Sequence, residues 1–117
     1  MIQIPSIIPL LTHTTTFIQR PSSYDSSGSP VFISQNTSSS FNTTDPTPCF
    51  FQSYQRQLQQ EDGAITKTRA RFFFGPDIED FPIQTKILFA DITYEVLDSL
   101  KFFDTRGNLH HYEIIVR

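Results

Sequence analysis

A chain of 117 residues with nine basic and twelve acidic side chains has a formal net charge of -3. That length suits one domain with one modest core, and the slight negative charge excludes a broad positive field for gathering nucleic acid, so any DNA contact must be local. Twelve Phe, no Trp and only four Gly, set among many Ser, Thr and Gln, favour strands and polar loops over helices, and the single Cys49 excludes an intrachain disulfide.

Residues 1–12, MIQIPSIIPLLT, are mostly apolar, but they lack a positive n-region, and Pro5 and Pro9 interrupt what would be the apolar stretch of a signal peptide. They read as an N-terminal arm that docks on its own fold or on a neighbour. No stretch approaches the roughly 18 apolar residues of a membrane span. His13–Arg20, HTTTFIQR, is rich in strand formers. In the following PSSYDSSG, Asp25 and Gly28 hold the first and fourth places of a type I turn. PVFIS then resumes as a strand, which predicts a first hairpin. From Ser34 to Pro48 the only large apolar residue is Phe41, and two prolines stand near the end, so this segment reads as a long exposed loop. Its two glycosylation-type triplets, at Asn36 and Asn42, are expected by chance in such a composition.

QSYQRQLQQ suits a helix by propensity, yet Glu61-Asp62-Gly63 is a turn signal with ITKTRARFFF behind it. The similar length of the two arms favours a long hairpin. Along the return arm, alternation puts Thr66, Thr68, Ala70, Phe72 and Phe74 on one side, with Lys67, Arg69, Arg71 and Phe73 on the other. Gly75-Pro76 ends it, and Asp77, Glu79 and Asp80 form an acidic loop. KILFADITYEVL predicts two short strands around Ala90-Asp91, with Tyr94 and Val96 inward. SLKFF leads into Asp104-Thr105-Arg106-Gly107, the same Asp-x-x-Gly spacing as at Asp25. In the last strand His110, Tyr112, Ile114 and Val116 would share one face, and His111, Glu113, Ile115 and Arg117 the other.

That alternation would send His110 and His111 in opposite directions, away from a common metal ion, whose ligands must converge within about 2.0–2.3 Å of it. Cys49 has no CxxC partner, and the acidic loop lacks the glycine and distal glutamate of an EF-hand. No phosphate-binding loop, GxSxG or HExxH occurs. The residues therefore point to no enzyme, cofactor or metal. Lys67, Arg69 and Arg71 are candidates for contact with DNA phosphates or with acids of a neighbouring subunit. Phe73 and Ile115, bulky apolar residues on otherwise charged faces, are candidates for a subunit interface.

Three segments, YDSSGSPVF, EDGAITKTRARFFFGPD and YEVLDSLKFFDTRGNLHHYEIIVR, make the chain from about Phe17 onward resemble the head-completion or head-closure proteins of long-tailed bacteriophages, often called stoppers. The likeness rests on Tyr94-Glu95-Val96, on Asp104 and Gly107, and on His110-His111-Tyr112-Glu113 running into the terminal strand. It implies an all-β fold, a small β-barrel at residues 13–117, that forms a homo-oligomeric ring without catalytic centre or cofactor. The implied location is the head-tail interface of the virion, beneath a portal or adaptor ring, above a tail protein and around packaged double-stranded DNA. The polar loop 34–48 would then supply channel-facing residues, namely Ser34, Gln35, Asn36, Ser40, Phe41, Asn42 and Asp45. The loop from Gly75 to Pro82 is the alternative. Two other readings fit the same residues: a tail-terminator or minor tail subunit, and an OB-like barrel that binds single-stranded nucleic acid.

Overall fold

A computed structural model describes residues 8–34, 41–53, 55, 57–59 and 65–117. After a 3₁₀ turn at Ile8–Leu10 come β1 (His13–Thr15), β2 (Phe17–Gln19), β3 (Ser23–Tyr24), β4 (Pro30–Val31), β5 (Asn42–Thr43) and β6 (Thr47–Ser53). They are followed by β7 (Gln57–Gln59), β8 (Ile65–Lys67), β9 (Ala70–Phe74), β10 (Lys86–Phe89), β11 (Ile92–Phe103) and β12 (Leu109–Val116). The expected all-β, barrel-like fold is what the chain adopts. Eight strands make one antiparallel sheet in the order β1-β6-β9-β12-β11-β10-β2-β5, while β3-β4 and β7-β8 form small ribbons. β1 and β2 are consecutive in the chain but lie near opposite ends of this sheet. Between them the Thr16 N–H donates to the Leu88 carbonyl at 2.9 Å, so this short segment draws the two ends together and curls the sheet into a half-barrel.

The concave face holds the core. Phe72, Phe74, Ile18, Ile87, Ile114 and Val116 are fully buried, with Phe81, Tyr94 and Tyr112 nearly so. Phe72 meets Phe51, Phe89 and Tyr94 with ring centroids 5.2, 5.4 and 5.5 Å apart. Alternation on β9 is as the sequence predicts, with Ala70, Phe72 and Phe74 buried and Arg71 and Phe73 half-buried. The long hairpin is also present. β6 pairs with β9 and β7 with β8, the outer ladder shifted in register by one residue, although the Glu61-Asp62-Gly63 turn lies outside the described residues.

Two turns repeat one device. The Asp25 carboxylate accepts the N–H groups of Ser27 and Ser29, and the Asp104 carboxylate those of Arg106 and Asn108, all at 2.9–3.0 Å. In each, the glycine three residues on sits at positive φ, 85° for Gly28 and 82° for Gly107, which L side chains rarely adopt. A third turn joins β10 to β11 with Ala90 at φ 49° and Asp91 at φ 64°, the two left-handed residues of a type I′ hairpin turn.

Several expectations need correction. Segment 13–20 does not pair with 30–34. β1 joins β6, and β2 joins β10 and β5, leaving only β3 and β4 for the first hairpin. Strand propensity marks a strand but not its partner, and Ile18 gains more by packing opposite Ile87 in the core. The expected loop 34–48 contains β5 and the start of β6, and Asn42 is buried with its amide donating to the Ser34 carbonyl at 3.0 Å. β11 is twelve residues long rather than short. Finally, β12 does not alternate cleanly. Phe102 pairs with His111 and Phe103 with Leu109, which leaves His110 as the extra residue of a β-bulge.

Candidate functional site

The convex side of the sheet has a chemistry of its own. One ring from each of four adjacent strands forms a band across it: Phe50 of β6, Phe73 of β9, His111 of β12 and Phe102 of β11. Centroid separations along the band are 6.1, 6.2 and 4.7 Å, and the last pair is stacked, its ring planes 8° apart. Strand register produces this row. Phe50 is the direct partner of Phe73, and His111 of Phe102, so each pair projects on the same face.

Beyond the band the sheet narrows to a tip. β9 pairs no further along β12 than Tyr112, and β10 no further along β11 than Glu95, so the stretch from Asp98 to Phe103 is paired with β12 alone among the described residues. Phe102 and Phe103 are 40% and 58% exposed on this tip, and Leu100, opposite Glu113 on the open edge of β11 beside it, is 40% exposed. Leu10, Tyr24, Val31, Phe41, Ile83 and Ile92 are exposed elsewhere on the chain, so what marks this edge is that three such residues stand within four positions and adjoin the aromatic band.

The sequence-predicted residues divide in this setting. Phe73 is half-buried beneath Phe50 and His111, with the Arg71 guanidinium 5.3 Å from its ring centroid. Ile115 does not await a partner. It is only 7% exposed, in register with Arg71 on one side and Asp98 on the other. The burial expected from a neighbouring subunit is thus already present within the chain.

Lys67, Arg69 and Arg71 do not form a row of equivalent cations. Arg71 bonds Glu113 at 2.9 Å and Gln52 at 2.7 Å, which satisfies the charge internally. Arg69 is exposed and lies 5.1 Å from the Tyr94 ring centroid, and Lys67 is exposed. Of the loop candidates, Ser34, Phe41 and Asp45 are exposed, Asn42 is buried, and Gln35, Asn36 and Ser40 lie outside the described residues.

The histidines depart furthest from expectation. The bulge turns both imidazoles to one side, with Nδ1 of His110 2.7 Å from Nδ1 of His111 and the rings nearly perpendicular at 80°. Burial first, and the adjacent His110 second, push the His111 imidazole below its ordinary pKa. His13 stands apart, its Nδ1 accepting the Phe51 N–H at 3.0 Å.

Sequence reasoning missed Arg20. Its side chain is 4% exposed, and its guanidinium donates to the carbonyls of Asp80 and Glu79 at 2.7 and 3.2 Å and to the Thr43 hydroxyl at 2.6 Å. Burial lowers its pKa, with Glu79, Tyr112 and Asp80 acting the other way. Arg20 thereby fastens the acidic loop to the sheet, and a bridge of 2.8 Å from Lys101 to Asp80 adds to this from β11. The available signal was Ile18, two positions earlier on the same face. Among the described residues no group of three or more His, Cys, Asp or Glu forms a metal cluster, and no helix is long and apolar enough to cross a membrane. No protein-family model matches the chain, and no curated protein matches it significantly.

Proposed function

We propose that this chain is a structural subunit whose work is done by contact between proteins, as a head-closure component of the neck of a long-tailed bacteriophage. One observation carries the reading: the band of Phe50, Phe73, His111 and Phe102, continued into exposed Leu100 on the edge of β11 and Phe103 on the tip. A buried core with aromatic surface left on the other face of the sheet suits a protomer that completes its burial against other chains. The terminal segment that carries the likeness to stoppers also forms the tip and half of the band. In that role copies stand as a ring around packaged DNA, between a portal or adaptor ring and a tail protein. The acidic loop held by Arg20 and the segment around Ser34 and Asp45 are the polar elements offered to the channel.

Co-sedimentation of the purified chain with portal–adaptor complexes tests the reading. The expected result is saturable capture that persists in high salt, because apolar contacts are not screened. An oligothymidylate serves as the second probe. Tight binding to it that weakens steeply with salt, together with no capture by portal–adaptor complexes, would replace the connector with the single-strand-binding barrel.

A further inference from the structure

Along an unbroken strand His110 and His111 would point to opposite faces; the bulge at the β11–β12 tip abolishes that separation. We propose that the two imidazoles form a bidentate site, through both Nδ1 atoms, for a divalent cation of tetragonal preference, Cu²⁺ or Ni²⁺. Spacing decides the class of ion. With metal–nitrogen bonds of about 2.0–2.1 Å, two nitrogens 2.7 Å apart subtend an angle of about 80–85° at the ion. Neighbouring ligands in a square plane or octahedron stand near a right angle, whereas a tetrahedral ion needs nitrogens about 3.3 Å apart. The geometry thus disfavours the tetrahedral preference of Zn²⁺.

The rings are held in place before any ion arrives. His111 is stacked on Phe102 at 4.7 Å and flanked by Phe73 at 6.2 Å, while His110 stands edge-on to it at 5.0 Å. Both imidazoles are half-buried, which leaves a path for a hydrated cation. Without an ion the same separation suits one shared proton, the Nδ1–H of one ring donating to Nδ1 of the other. Binding releases that proton to solvent, and the ion sits off the line between the two nitrogens, where both lone pairs turn towards it. No third His, Cys, Asp or Glu joins the pair among the described residues, so water fills the remaining positions.

The test is titration of the full chain with Cu²⁺, Ni²⁺ and Zn²⁺ by calorimetry, with electron paramagnetic resonance of the copper form. Equimolar binding, two coupled nitrogens in the copper spectrum, and Ni²⁺ held more tightly than Zn²⁺ are expected. Loss of even an outer-sphere partner costs a metal site about 10–100-fold, so His110→Gln and His111→Gln should each weaken binding by at least about tenfold. His13→Gln should leave it unchanged, since that ring is committed to the Phe51 N–H. The nitrogen count is read on the unaltered chain and does not depend on whether a variant folds. Fewer than two coupled nitrogens, or undiminished binding in either the His110 or the His111 variant, means an adventitious ion only and overturns the site.

Discussion

Phe72 and Phe73 are neighbours on one strand with the same side chain, yet they belong to different parts of the molecule's chemistry. Phe72 is fully buried and ringed by Phe51, Phe89 and Tyr94, all from this chain. Phe73 lies half-covered in a band that ends on the exposed Phe102. The rings of the concave face are covered by the chain itself, and those of the convex face stay partly exposed. The first should therefore govern stability, and the second association. The largest effect expected is that of Phe72→Ala, which removes a core ring and leaves a cavity, at a cost of about 3–5 kcal/mol in urea denaturation. Phe73→Ala should cost far less, and equal losses would show that the two faces are energetically alike.

Arg20 sharpens the contrast, because it is a polar device on the buried side. Its guanidinium holds two carbonyls of the acidic loop and the Thr43 hydroxyl, and hydrogen bonds from a charged donor are worth about 1.5–3 kcal/mol each before non-additivity. Arg20→Ala should cost about 3 kcal/mol and speed hydrogen exchange in residues 77–82. Arg20→Lys should not rescue it, since an ammonium cannot span three acceptors arranged for a planar fork. Retained protection in 77–82 would show that the loop is held by Phe81 and the Lys101–Asp80 bridge instead.

Elements with local causes were legible in the sequence. The Asp-x-x-Gly turns declared themselves through residues that supply both an acceptor and a positive φ, and β9 through strict alternation. Pairing between distant segments was not legible. Nothing in HTTTFIQR says that β1 must find β6 while β2 finds β10, since that choice is made by how the whole sheet curls. The candidate surface was half visible, with Phe73 flagged because it broke a basic face. Ile115 breaks its charged face in the same way and yet is only 7% exposed, because periodicity assigns a residue to a face and not to a degree of burial. The histidine pair is not legible in the sequence, because a bulge is a property of two strands together and alternation runs along one.

Cys49 tests the concave side through pH. Burial pushes its thiol from 9.0 up to about 12. A folded-state value above the unfolded one means that the contribution to stability is fully present below pH 9 and is lost as pH rises towards 12. The stability of the unaltered chain should fall by up to about 1.4 kcal/mol per pH unit more steeply over that window than that of Cys49→Ala. Parallel curves would show that the thiolate is tolerated inside. A smaller gain, of about 1 kcal/mol, is expected from Ala90→Asn with Asp91→Gly, because those residues adopt the left-handed backbone of a type I′ turn at less cost.

Phe102 should have the smallest effect on stability and the largest on assembly. It is 40% exposed on a tip that β9 and β10 do not reach, so Phe102→Ser removes few contacts within the chain beyond the stack on His111. Surface substitutions of this kind stay within about 0.5 kcal/mol. At an interface the same ring, centred in an apolar patch, is the type of residue whose removal costs about 2 kcal/mol or more, or about thirtyfold in affinity. Phe102→Ser is therefore expected to melt with the unaltered chain and yet to lose capture by portal–adaptor complexes. If it binds undiminished, the convex band is not the contact face; if it unfolds, the tip belongs to the core, and the distinction between the two faces of β9 and β12 fails with it.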